Sequence, residues 1–232
     1  MNNIDIDKML FHCSSLPDLM TNGRSKDSVL GETAKTAARN AYIETVFGRR
    51  DTGTINKFTQ KGIMVETDGI ELVQKVTGKI YFKNQKTFSN EFITGTPDIL
   101  DEKEKIIIDM KGSYNIWTFT AVTEEKARAD YEHQLTGYGD LTGFRKARLI
   151  YYLVNTPTKL IDDEIYRLSF TIGEDEAREY EKNFIFDDIP AEMRLKIFDF
   201  DITDESIEAI HQRVIDTREY LKTADFIKPY KK

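Results

Sequence analysis

Residues 92–111 read FITGTPDILDEKEKIIIDMK. Two runs rich in β-branched and aromatic residues, 92–100 and 105–111, flank the polar turn 101–104. Such residues favour a pleated, half-buried surface, and a short polar stretch between two of them marks a hairpin. Strand side chains alternate between faces. Ile106, Ile108 and Met110 therefore point one way, and Ile107, Asp109 and Lys111 the other. An acid and a lysine two apart on one face of an apolar strand are unusual for a core. Taken alone they also fit an exposed hairpin face that carries an ion pair. Asp98, just after Pro97 on the preceding strand, lies where the hairpin brings it toward Asp109. Two carboxylates held close together repel unless a cation sits between them, and a hard divalent ion prefers such an all-oxygen environment.

Outward from the hairpin, periodicity predicts helices over 28–47 and 57–77 and a strand over 79–83 (KIYFK) on the N-terminal side. On the C-terminal side it predicts a helix over about 123–142 ended by Gly143, a strand over 147–154 and another over 163–170 (DEIYRLSF). Helices over about 174–187 and 203–222 complete the tail. This order argues for an α/β fold, a central mixed β-sheet flanked by helices, with extra N- and C-terminal helices. No internal repeat and no low-complexity segment interrupts it. We expect one domain over 1–232, its core at about 28–170 and a C-terminal helical extension at about 171–232. On the helical wheel of 57–77, Glu66 lies between Gly62, Ile63, Ile70 and Val73, inside the apolar arc. A carboxylate there is costly unless paired or metal-bound, although a glutamate snorkelling at the edge of the stripe also fits.

With 40% hydrophobic and 31% charged residues among 232, the chain has the balance of a globular protein large enough to build a core without staples. Cys13 is the single cysteine, which excludes an internal disulfide and a cysteine-built zinc or iron–sulfur site. The opening MNNIDIDKML lacks the basic and apolar regions of a signal peptide, and no run approaches the roughly 18 apolar residues of a membrane span. A cytoplasmic location, in a bacterium or a phage-infected host, is the expectation. The net charge of −7 counts against a protein that coats DNA non-specifically. It leaves room for local basic patches, for which 48–62 (GRRDTGTINKFTQKG) and 143–149 (GFRKARL) are candidates, while 161–208 is densely acidic.

Pro97-Asp98, ten intervening residues, then Asp109-Met110-Lys111 resembles the signature of the PD-(D/E)XK nuclease superfamily. The upstream helix with Gly62 and Glu66 looks like the one that supplies an extra acidic ligand in that superfamily. DYEHQLTGYGDLTG (130–143) contains Gln134-x-x-x-Tyr138, similar to the glutamine–tyrosine motif of the RecB-like branch, which includes lambda exonuclease and the YqaJ-type viral recombinases. Gln134 and Tyr138 share one helix face, with Tyr131 beside them, and by themselves would also fit ordinary helix packing. FHCSSLPDLM (11–20) is similar to the N-terminal segment of the phage members. Those often carry an arginine near the paired serines, where His12 and Cys13 stand here. Ser14, Ser15 or a basic residue elsewhere is then left to anchor a 5′-phosphate. The resemblance covers about 11–155, and its iron–sulfur members are excluded by the lone cysteine.

The resemblance implies a restriction-endonuclease-like core. It implies that Asp98, Asp109 and the backbone carbonyl of Met110 bind Mg2+, with Mn2+ able to substitute, and that Glu66 completes this site or helps hold a second ion. Lys111 would orient the attacking water and stabilise developing charge, Gln134 and Tyr138 would hold the scissile strand, and Thr96 would hydrogen-bond a phosphate. The implied activity is exonucleolytic digestion of linear duplex DNA from an end, in phage-type recombination or repair. Implied partners are duplex ends, a single-strand annealing protein and further copies of the chain in a trimer. A structure- or site-specific endonuclease is the alternative within the class. A catalytically silent DNA-binding or assembly module is the alternative outside it, although such a module has no need of Asp98, Asp109 and Lys111 together.

Overall fold

The structure, a computed structural model, describes residues 5–24, 29–51 and 56–230. Its elements, in chain order, begin with β1 (Phe11–His12), α1 (Leu16–Leu19), α2 (Glu32–Phe47), α3 (Lys57–Met64) and α4 (Glu66–Thr77). The strands β2 (Phe88–Ser89), β3 (Ile93–Gly95), β4 (Ile99–Asp101) and β5 (Ile106–Gly112) follow. Then come α5 (Ile116–Thr120), α6 (Glu124–Thr142), β6 (Lys146–Tyr152), α7 (Thr158–Ile172), α8 (Glu174–Arg178), β7 (Leu195–Asp201) and α9 (Asp204–Thr223). The expected start of the first long helix at residue 28, and residues 52–55 of the basic stretch, lie outside the described residues.

The hairpin forms as read. Asp101 Oδ1 accepts from the backbone N–H groups of Lys103 and Glu104 at 3.1 and 3.0 Å, which builds the turn. β4 pairs antiparallel with β5, with Ile99 opposite Ile108. β5 pairs parallel with β6, Asp109 opposite Leu149, and β6 pairs antiparallel with β7, giving a mixed sheet in the order β4-β5-β6-β7. The parallel pair needs a crossover, which α5 and α6 supply. Thr123 caps the start of α6 by accepting from Lys126 N, and Gly143, at φ 76°, ends it in the left-handed region. Ile107, Leu149 and Tyr151 join the core on the α6 side, while Ile99, Ile108, Met110, Ile150 and Tyr152 pack with Leu72 and Val73 of α4 on the other. Fully burying each such aliphatic side chain is worth about 1.5–3 kcal/mol.

Several expected elements differ. Residues 57–77 form two helices, broken at Val65 (φ −109°, ψ 14°). The break lets α4 press Gly69, Leu72 and Val73 onto the sheet while Ile63 and Met64 of α3 stay exposed. The continuous wheel on which Glu66 was placed therefore does not exist. Residues 79–83 form no strand, because Tyr81 N donates to Gln74 Oε1 instead of a ladder partner and Ile80 and Phe82 face solvent. The run 92–100 splits at 96–98 into β3 and β4, which belong to different sheets; β3 lies between β1 and β2. Residues 163–170 are helical within α7, whose buried Leu160, Ile161 and Ile165 recur at helical spacing while Tyr166 and Phe170 are exposed. The stretch 174–187 holds only α8 and a 3-10 turn at Glu181–Phe184. The C-terminal region is not wholly helical, since its β7 completes the sheet and carries the core past the expected limit of residue 170.

Candidate active site

Asp98 stands at the entry of β4, and the hairpin register continued by one residue sets it opposite Asp109. Its Oδ2 accepts from Met110 N at 2.8 Å, so the first acid is fixed to the strand that carries the second. Asp109 is 1% exposed. Its Oδ1 accepts from Gln134 Nε2 at 3.0 Å. The same amide donates to Tyr138 Oη at 3.0 Å, so α6 braces the buried acid from behind. Asp109 Oδ2 lies 2.8 Å from Lys111 Nζ, yet the contact is not aligned as a hydrogen bond and the oxygen is otherwise unpartnered. Lys111 Nζ also sits 4.6 Å from the Tyr131 ring centroid.

Electrostatics follow from this crowding. Burial, and then the neighbouring Asp109 carboxylate, push the Asp98 carboxyl up to about 7, against the opposing pull of Met110 N–H and Lys111. Burial alone would lower the Lys111 ammonium, but Asp109, Tyr131 and Asp98 outweigh it and hold its pKa above the ordinary value. Burial and Asp109 both raise the Tyr138 phenol, which stays protonated.

A cleft of about 580 Å³ opens above these residues. Glu66, Asp98, Met110, Lys111 and Tyr131 line it, and Phe58, Gly62 and Ile63 of α3 form one wall. Glu66 is the first residue of α4, partly exposed, and its Oε2 pairs with Lys83. Gln134 and Tyr138 are buried and back Asp109, not the cleft surface. Thr96 is exposed and its hydroxyl is 2.8 Å from that of Thr87. Ser15 Oγ donates to His12 O at 2.7 Å, and Ser14 is exposed. β1 runs parallel to β3 with His12 beside Thr94, and the chain then leaves the strand for a 3-10 turn at Cys13–Ser15 that holds both serines. None of these three hydroxyl residues lines the cleft.

Among the described residues, no three His, Cys, Asp or Glu side chains form a ready-made metal cluster. Ammonium groups stand on two of the three carboxylates expected to converge, Lys111 on Asp109 and Lys83 on Glu66. The donor set still suits a hard divalent cation. An orphaned buried carboxylate oxygen and two mutually repelling acids are what such an ion relieves. Sequence reasoning missed Lys83 and Asn84. Lys83 ends the stretch expected as a strand and Asn84 follows it, and nothing in a lysine–asparagine pair signals a site until the fold places it.

The mixed sheet flanked by helices, as expected from the sequence, is a fold shared with solved exonucleases, the class that the motifs resemble. Among solved structures, the chain is similar to a phage-related exonuclease from Haemophilus somnus 129PT, at 29% identity over 92% of this chain and 93% of that one, with a TM-score of 0.77. It shares its fold with the alkaline exonuclease LHK-Exo of Laribacter hongkongensis, at 16% identity, 93% of each chain and a TM-score of 0.60. The complex of LHK-Exo with dAMP matches equally well. No family model and no curated protein matches the sequence.

Proposed function

We propose that this chain is a metal-dependent DNA exonuclease that hydrolyses phosphodiester bonds of linear duplex DNA from an end. One observation carries the reading. Asp109, braced by Gln134 and contacted by Lys111, lies beside Asp98 beneath a cleft, in a fold that matches a phage-related exonuclease along nearly its whole length. Asp98, Asp109 and the Met110 carbonyl would hold a divalent ion, Mg2+ by preference, with Glu66 completing the set. When bound, the ion supplies charge for the phosphate and acidifies a water. Lys111, kept charged by its surroundings, orients that water and stabilises negative charge developing at phosphorus. Gln134 and Tyr138 hold Asp109 in place, and through it the metal, so they act on the scissile strand indirectly. Tyr131 and the α3 wall flank the strand in the cleft. Ser14 and Ser15, in the turn after β1, and the exposed Thr96 would offer hydroxyls to a terminal phosphate. Recombination beside a single-strand annealing protein, in the cytoplasm and as a trimer, belongs to the same reading. No described helix is long and apolar enough to cross a membrane.

A nuclease assay on linear duplex with and without Mg2+ tests the proposal. Cleavage should require the metal and vanish in Asp109→Asn with the circular dichroism spectrum unchanged. Lys111→Ala should lower turnover by about 10²-fold or more while DNA affinity changes little, because its contact develops in the transition state. Metal-dependent activity retained by Asp109→Asn would sink the assignment.

A further inference from the structure

Between α4 and β2 the chain turns back along the edge of the cleft. Lys83 Nζ pairs there with Glu66 Oε2. The next residue is fastened to the opposite acid: Asn84 N donates to Asp98 O at 2.7 Å and Asn84 Nδ2 to Pro97 O at 2.9 Å. Asn84 Oδ1 accepts from Lys86 N at 3.0 Å, which closes the turn on itself. Two consecutive residues thus bind the first residue of α4 and the entry of β4, the elements that carry Glu66 and Asp98. The side chain of Lys83 is 52% exposed and that of Glu66 24%, so the pair lies at the mouth of the cleft, where water screens it. A screened pair of this kind changes an equilibrium by about two- to five-fold at most. A divalent cation carries twice the charge and binds carboxylate oxygen directly, so it displaces such a partner.

We propose that Lys83 is the resident counter-cation of Glu66, occupying the carboxylate until a divalent metal ion displaces it. The inference rests on the metal-dependent reading of the site. Its consequence has a definite sign. Removing the ammonium removes a competitor for Glu66 and a nearby positive charge, so the metal binds more tightly. A purely structural role for Lys83 would have the opposite effect, because loosening the turn would disperse Glu66 and Asp98 and weaken the metal.

The test is calorimetric titration of Mn2+ into the DNA-free protein, comparing wild type with Lys83→Gln, Lys83→Arg and Asp109→Asn, with a thermal melt of each. Lys83→Gln should bind Mn2+ about three-fold more tightly than wild type, with Lys83→Arg near wild type and melting temperatures equal. Equal or weaker Mn2+ binding by Lys83→Gln overturns the inference. Should wild type bind Mn2+ and Asp109→Asn lose it while Lys83→Gln matches wild type, the metal site stands and only the role of Lys83 falls. No Mn2+ binding by wild type removes both.

Discussion

Lys61 has no exposed surface, and its ammonium donates to Tyr114 O at 2.9 Å while lying 5.1 Å from the Phe186 ring centroid. Burial pushes its pKa down to about 7. Lys111, one contact from Asp109, goes the other way, because carboxylates outweigh burial there. Lys111 keeps the charge that its proposed role requires, and Lys61 anchors α3, the wall of the cleft, to the chain that leaves β5. The sign of the pH effect follows. An unfolded lysine titrates near pH 10.4, so between about pH 7 and 10.4 the unfolded chain holds the extra proton and stability rises with pH. Below about pH 7 both states are charged and the penalty of burying the ammonium is complete. Lys61→Met should therefore compare best with wild type at pH 6. Its relative stability should fall by up to about 1.4 kcal/mol per pH unit above 7. Urea denaturation of both proteins at pH 6, 7 and 9 measures this, and a pH-independent difference would mean that the buried amine does not lose its proton.

At the scale of elements, the position of α4 decides where Glu66 stands, and Gly69 decides how close α4 lies. A Cβ on Gly69 would fall 2.5 Å from two ring atoms of Tyr152 on β6. Alanine is the better helix former by about 1 kcal/mol, but forcing a methyl group into a packed contact costs about 1–3 kcal/mol. We expect Gly69→Ala to lose about 1 kcal/mol of net stability and to lower cleavage, because α4 must move and Glu66 is its first residue. Denaturant midpoints and a turnover measurement check this; a more stable, fully active variant would show that Tyr152 yields freely. The hairpin and α6 were legible in the sequence because their signals are local: a polar turn between apolar runs, and a periodic stretch closed by a terminal glycine. Asp98, Asp109 and Lys111 were legible with them, as positions on that hairpin. What failed depended on distant partners. KIYFK has strand composition, but its backbone finds Gln74 and not a ladder. DEIYRLSF shows alternation because Tyr166 and Phe170 are exposed against each other, 4.8 Å between ring centroids. LKIFDFD at β7 was hidden by its acids, which stand on the outer side of an edge strand while Phe200 is buried and Phe198 packs against the core. The Gln134–Tyr138 pair was seen, but its direction was not. Only the fold shows that the amide reaches Asp109 beneath the cleft.

At the scale of the whole molecule, a net charge of −7 must be reconciled with a polyanionic substrate. A protein that grips duplex along its length needs many phosphate contacts, each of which steepens the fall of affinity with salt. This chain offers few at the site: Lys111 and Lys126 line the cleft, and Lys83 is at its mouth. A cleft of about 580 Å³ is of the size that takes small ligands, here one or two nucleotides. Asp109 lies beneath it, 1% exposed. On the proposed reading a strand enters by its end, frayed from its partner. We therefore expect linear duplex to be digested from its ends, a nicked circle more slowly, and an intact circle not at all. On the proposed anchoring of a terminal 5′-phosphate by Ser14, Ser15 and Thr96, a label at the 5′ end should be released first. Duplexes labelled at either end, run beside nicked and closed circles over a salt series, decide each part. Rapid cutting of the closed circle would make the enzyme an endonuclease. Release of the 3′ label first would reverse the polarity alone. A slope of log affinity against log salt of about −5 or steeper would show a duplex-gripping surface that the cleft does not reveal.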